Sequence, residues 1–167
     1  MAVNPEIDIV SGFREMMLED VKAVLEIEKA VYTHPWSAGI FNDCINVGYN
    51  CWVYEVDNEL LAYGLVSAGA NEAHILNLCV KPGAQGQGLG KRMLYKLIQM
   101  AEWRDADSIF LEVRASNDVA LSLYEQEGFN RLGLRKAYYP SNEGREDALV
   151  FAKAINLDKS SNFKDMM

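Results

Sequence analysis

The chain has 167 residues, half of them hydrophobic, with 24 acidic residues against 16 basic ones and a formal charge of −8. This length holds one domain with a substantial core, and the composition excludes general disorder. The acidic balance argues against nucleic-acid binding and is compatible with a basic protein or peptide partner, while no apolar run reaches the roughly 18 residues that span a membrane.

The opening M-A-V-N-P-E-I-D has neither a basic region nor an apolar core, so it does not read as a secretion signal. Three cysteines (Cys44, Cys51, Cys79) cannot all pair and match no zinc spacing; they read as reduced thiols of a cytoplasmic protein. The histidines, His34 and His74, are far apart in the chain, and no metal site is expected.

In chain order, residues 1–8 read as a loose lead-in and Ile9–Met16 as a first strand, with Phe13 and Val10 turned inward. A helix follows from Glu19 or Asp20 to Val31, with Val21, Val24, Leu25, Ile27 or Glu28, and Val31 at helical spacing. Pro35 ends that period, and Ser37 is a suitable cap for a short helix over Ala38–Ile45. The period then changes to two: Cys51–Val56, Leu60–Ala68 and His74–Val80 form a meander with turns at Asp57-Asn58 and Gly69–Asn71. A helix over Leu89–Arg104 carries Leu89, Met93, Leu94, Leu97, Ile98 and Ala101 as one stripe. The strand Ser108–Val113 and a helix from Asn117 to Glu127, closed by Gly128, come next. Two late strands, Asn130–Ala137 and Asp147–Ala154, enclose a polar loop that contains Tyr138-Tyr139-Pro140. Residues 1–156 are read as a single domain and 157–167 as a flexible tail.

Between the meander and the central helix lies Cys79–Leu94, C-V-K-P-G-A-Q-G-Q-G-L-G-K-R-M-L. Glycines at alternate positions (Gly86, Gly88, Gly90) let amide N–H groups converge, and a helix start adds free donors and partial positive charge. Phosphate is the expected guest; a turn that only reverses the chain is the alternative. A Walker A loop is excluded because Arg92, not Ser or Thr, follows Gly90-Lys91. A dinucleotide fingerprint fits poorly, since the spacing is G-x-G-x-G and the loop lies mid-chain.

Gln85-Gly86-Gln87-Gly88-Leu89-Gly90 resembles the Gln/Arg-x-x-Gly-x-Gly/Ala signature of the GCN5-related N-acetyltransferases (GNAT). Leu111–Asn117, Ala120–Phe129, Arg135–Ala148 and His34-Pro35-Trp36-Ser37 narrow the resemblance to the bacterial RimI group, ribosomal-protein-alanine N-acetyltransferases, over roughly residues 9 to 156. The resemblance implies an α/β GNAT fold: a mixed, mostly antiparallel central sheet flanked by helices and splayed in the middle. It further implies that acetyl-CoA is held by the backbone of Leu78, Cys79 and Val80 and by the turn Gln85, Gly86, Gln87, Gly88, Leu89, Gly90, with Lys91, Arg92, Asn117 and Tyr124 also touching it. Gly86 departs from the pattern, because many relatives have Arg or another polar residue there, which leaves more of the phosphate to main-chain donors.

Glu112 interrupts an otherwise apolar strand, and a partly shielded carboxylate suits a general base. Pairing to Arg114 or a lysine is the other reading; the resemblance favours catalysis. Tyr124 sits beside Leu121 and Leu123 and by its residues reads first as core, but the resemblance reverses that and makes it the general acid for the leaving thiolate. Lys91 and Arg92 stand at a helix start that disfavours cations, which a bound pyrophosphate would offset; ordinary surface charge is the alternative. Cys79 has no informatively placed His and is not read as a nucleophile. His34, Trp36, Tyr138 and Tyr139 are candidate walls of the acceptor cleft, with Trp36 equally able to anchor the first helices.

The implied function is transfer of acetyl to the N-terminal alanine of a small-subunit ribosomal protein, by direct attack in a ternary complex. The enzyme is expected to be a monomer, able to associate with other proteins, without metal, membrane or direct nucleic-acid contact. The alternatives are an acetyltransferase of other N-termini, lysines or small amines, and a noncatalytic acyl-CoA sensor.

Overall fold

The computed structural model describes residues 11–157. The expectations for residues 1–10 and 158–167, including the inward Val10, lie outside the described residues. Seven strands form one sheet in the order β1-β2-β3-β4-β5-β7-β6. They are β1 (Ser11–Glu15), β2 (Asn50–Val56), β3 (Glu59–Gly69), β4 (Glu72–Val80), β5 (Ser108–Arg114), β6 (Asn130–Ser141) and β7 (Gly144–Ala154). Only β4 and β5 run parallel; every other neighbouring pair is antiparallel.

Helices α1 (Val21–Val31) and α2 (Ala38–Asn46) cover one face, and α3 (Leu89–Trp103) and α4 (Asp118–Gln126) the other. Alternation along the strands splits the core accordingly. Ile109, Leu111 and Val113 join Met93, Leu97 and Tyr124 on the α3/α4 side, whereas Val53, Tyr63, Leu65 and Cys79 join Val24, Ile27 and Phe41 on the α1/α2 side. The stripe read on α3 is the buried one, with Leu89, Met93, Leu94, Leu97 and Ala101 all inside. It approaches β3 where Gly64 sits: a Cβ there would lie 2.8 Å from Leu97 Cδ1 and 2.9 Å from Met93 Cγ.

Local chemistry sets most boundaries as expected. Ser37 accepts from the Ile40 N–H at 3.3 Å and Asn117 from the Ala120 N–H at 3.2 Å, each capping its helix. Asp57 and Asn58 both take positive φ, which suits the two-residue hairpin turn between β2 and β3.

The β6–β7 hairpin corrects one expectation. Tyr138-Tyr139-Pro140 is part of β6, not a loop, and the connection is only Asn142-Glu143. The register slips between Arg135 and Tyr139, and Ala137 adopts a φ of 52°, so a bulge absorbs the residues that broke the alternation. Pro140 is tolerated because β6 lies at the sheet edge, where a missing N–H is harmless.

Candidate active site

Strands β4 and β5 pair over three residues only, Glu72–His74 against Ser108–Phe110. Beyond His74 they part, and a cleft of about 320 Å³ opens between them, large enough for part of a small-molecule ligand. β4 stays paired to β3 as far as Val80. Its partners skip from Ile75 to Asn77, leaving Leu76 as an unmatched residue that lines the cleft.

The glycine turn lies where β4 hands the chain to α3. Gly86 (φ 78°) and Gly88 (φ 79°) are in the left-handed region, and a Cβ on either would meet nothing within 4 Å. The turn therefore uses glycine for backbone shape and leaves open space before it. The first α3 amide to close on the turn is that of Arg92, bonded to the Gly88 carbonyl at 3.1 Å. The amides of Leu89, Gly90 and Lys91 precede it at the positive end of the helix dipole. Gly90 serves packing instead, lying against Leu123 and Val80. Gln85 donates its side-chain amide to the Val80 carbonyl at 3.2 Å, tying the turn to the strand end. Gln87 lies between the two left-handed glycines.

The two cations at this helix start have protein partners. Lys91 is 3.3 Å from Glu127 and lies over the Tyr95 ring. Arg92 donates to the Tyr54 hydroxyl at 3.0 Å and lies 4.8 Å from the centre of that ring.

Glu112 and Tyr124 reach the same cleft from opposite faces of the sheet. Leu111 packs with Tyr124 on the α3/α4 side, so the adjacent Glu112 points the other way. The splay lets both line one cavity. The Tyr124 ring is buried against Phe129 and Phe151, at 5.5 and 6.5 Å between centres, and burial holds its phenol well above its ordinary pKa. That phenol stays protonated across the neutral range.

Glu112 does not pair with Arg114, which instead donates to Glu146 at 3.2 Å and to the Pro140 carbonyl at 2.9 Å. Its carboxylate is bonded to His74 Nε2 through Oε2 and lies 3.5 Å from Arg135 Nη2 through Oε1. Its side chain is 9 % exposed.

The cleft is also lined by Tyr32, His34, Trp36 and Tyr139. Trp36 does both things expected of it, facing the cleft and stacking 5.1 Å from Phe41 in the core. Tyr139 packs under Arg114, and burial, with the neighbouring Tyr138 and Glu112, pushes its phenol up to about 12. Tyr138 does not line the cleft; it is exposed on the outer strand against Arg135. Leu78 lines the cleft and its carbonyl accepts from the Tyr32 hydroxyl at 3.4 Å. Cys79 is buried on the α1/α2 side, and desolvation pushes its thiol up to about 11, which makes it a poor nucleophile.

The most important residue missed in the sequence is Glu28. Among the described residues it is the only buried charged one. It accepts from the Trp36 N–H at 3.1 Å, from Asn77 Nδ2 at 3.1 Å and from the Tyr63 hydroxyl. These bonds tie the α1–α2 connection to β3 and β4, and Glu28 itself lines the cleft. An acid within the apolar stripe of α1 is the signal that could have found it. His74 and Arg135 carry no such signal, because only the sheet brings them to Glu112.

Among the described residues, no helix is long and apolar enough to cross a membrane. Residues 18–129 match the acetyltransferase (GNAT) family model. The chain is 36% identical over 138 residues to the ribosomal protein bS18-alanine N-acetyltransferase of Escherichia coli K12, covering 83% of this chain and 93% of that one. It is equally identical over 135 residues to the Haemophilus ducreyi protein of the same name, covering 80% and 93%. The crystal structure of the Escherichia coli ribosomal-protein-S18-alanine N-acetyltransferase superimposes with a TM-score of 0.82 at 34% identity, over 89% of this chain and 96% of that one. With its sheet parted between β4 and β5 and a glycine turn at the head of α3, this chain belongs to the GNAT family of acetyltransferases.

Proposed function

We propose that this enzyme acetylates the α-amine of a protein beginning with alanine, bS18 or a close counterpart, using acetyl-CoA. The observation that carries the reading is the convergence of Glu112 and Tyr124 on one cleft between β4 and β5, with the open, positive-φ glycine turn following at the end of β4. Similarity to the bS18-alanine enzymes over more than four-fifths of the chain supports the acceptor.

The residues present fit the coenzyme. Gly86 and Gly88 leave room for a diphosphate against the amides at the start of α3, and the unpaired edge of β4 from Leu78 to Val80 offers main-chain groups to a pantetheine arm. Because Lys91 and Arg92 are engaged by Glu127 and Tyr54, the backbone donors carry most of this binding. Acetyl-CoA would supply the acyl group as a thioester.

The chain itself must then do three things. Glu112 accepts a proton from the incoming ammonium, directly or through water, so that the amine nitrogen has a lone pair. A terminal ammonium in water titrates near pH ~8, so a modest base suffices. Main-chain groups beside the Leu76 bulge, which lies in the cleft, would be available to a developing negative charge. Tyr124, still protonated, would be the donor for a leaving thiolate. The acceptor enters past His34, Trp36 and Tyr139, which line the cleft. Asn117 caps α4 through its Oδ1 and also lines the cleft.

One catalytic domain through residue 156 is supported by the membership of all seven strands in a single sheet. The three free, buried cysteines fit a cytoplasmic location.

The test compares a peptide with a free N-terminal alanine against one with a blocked terminus and a free lysine, read by mass spectrometry. Acetylation of the first alone is expected. Glu112→Gln should lower turnover by about 100-fold or more while leaving coenzyme binding intact. Equal acetylation of the lysine peptide would remove the α-amine assignment, and undiminished turnover in the variant would remove Glu112 as base.

A further inference from the structure

Glu112 stands in a wall between two cavities. Among the described residues it alone lines both the cleft and a second, shallower groove formed by Ser67, Glu72, His74, Phe110 and Arg135. A carboxylate with space on both sides must be held if it is to present an oxygen to the cleft. The nearer of its two partners is His74, through Nε2 to Oε2; the Arg135 guanidinium lies 3.5 Å from Oε1 on a side chain 56 % exposed.

The backbone fixes His74 where that hold is needed. It is the last β4 residue paired to β5, opposite Phe110, and Glu112 lies two residues further along β5, just past the fork. The bond therefore bridges the two strands where they begin to part. His74 itself does not line the cleft. It cannot touch substrate there and must act through Glu112.

We propose that His74 is the positioning residue of the base. Its imidazole bonds through Nε2 to Glu112 Oε2 and so fixes the carboxylate in the wall of the cleft. The proposal rests on Glu112 being the base. In the step itself one proton passes from the ammonium nitrogen to the Glu112 carboxylate, and no proton moves on His74. The charged groups that share this groove with His74 are Glu72, Glu112 and Arg135.

The experiment measures steady-state acetylation of the Ala-peptide by wild type, His74→Ala, His74→Gln and Glu112→Gln at pH 8, with coenzyme binding and thermal melts for each. His74→Ala should lower kcat about 10- to 100-fold with both KM values little changed, the loss expected when a reacting group is misplaced. His74→Gln keeps a donor at the same reach. It should recover most of kcat. A folded His74→Ala enzyme with wild-type kcat overturns the proposal while leaving Glu112 as the base. So does a His74→Gln enzyme as impaired as an inactive Glu112→Gln, and this variant decides the matter should the alanine protein melt early. Full turnover in Glu112→Gln would instead remove the base itself, and the role of His74 with it.

Discussion

The glycine turn and the cleft are built by different means. In the turn, proposed to hold the coenzyme, the available groups are main-chain amides shaped by Gly86 and Gly88 within a short stretch of sequence. Around the cleft, Glu112, His74, Arg135, Glu28 and Trp36 come from β5, β4, β6, α1 and the α1–α2 connection, and are aligned by side-chain bonds. A backbone site is insensitive to side-chain identity but intolerant of changed φ. A side-chain site fails when one partner loses its group. Binding and chemistry should therefore be separable by mutation.

The largest effect that would sharpen this contrast is in the cleft. Tyr124→Phe should slow turnover about 100-fold. Its melting temperature should stay within a few degrees of wild type, since the ring contacts with Phe129 and Phe151 survive. A variant that keeps wild-type kcat would leave Tyr124 as core alone.

Next comes the scaffold between the two. Gly64→Ala drives a methyl into Leu97 and Met93 of α3, and overpacking of this kind costs about 1–3 kcal/mol. Urea titration should show the loss. A neutral result would mean that α3 shifts freely and that the turn at its head is not held rigidly.

In the turn, Gly88→Ala places a Cβ where φ is 79°. The strain of about 1–2 kcal/mol should appear as coenzyme affinity about tenfold weaker with kcat at saturation nearly unchanged. If kcat falls and affinity holds, the division of labour between turn and cleft is wrong.

The smallest effect lies outside the cleft and serves as its control. Arg14 donates to both oxygens of Asp20, at 2.7 and 2.8 Å, and holds that carboxyl below its usual range. A depressed folded-state value means that the stabilisation is complete above the unfolded pKa of about 3.9 and disappears as pH falls through the folded one. Arg14→Ala should thus cost about 1 kcal/mol at pH 7 and progressively less in acid, with catalysis unaffected. An Arg14→Ala protein with altered kcat would show that the first strand communicates with the site.

Legibility follows the same division. Ser37 and Asn117 as caps, Asp57-Asn58 as a turn and the α3 stripe are readable because each depends on neighbours within about four residues. The glycine turn is readable for the same reason. The residues alone put Tyr138 and Tyr139 in a loop because the bulge at Ala137 breaks the alternation of β6, and only pairing with β7 shows that the strand continues. Arg114, two places along the chain, is the partner that sequence offers Glu112. Residues two apart on a strand share a face, but each finds its partner across the sheet: Glu146 for Arg114, His74 and Arg135 for Glu112.

From the chain of residues alone came the order of strands and helices, the glycine turn with its phosphate chemistry, and a glutamate and a tyrosine proposed for acid–base work. Tertiary structure decided that β4 and β5 separate after three paired residues, that Glu112 and Tyr124 reach one cavity from opposite faces, and that His74 rather than a neighbour in sequence grips the carboxylate. The physical reason is range. Turns, caps and amphipathic stripes are set by local sterics and hydrogen bonding, whereas strand register and side-chain partners are settled only when distant segments compete to bury their apolar faces.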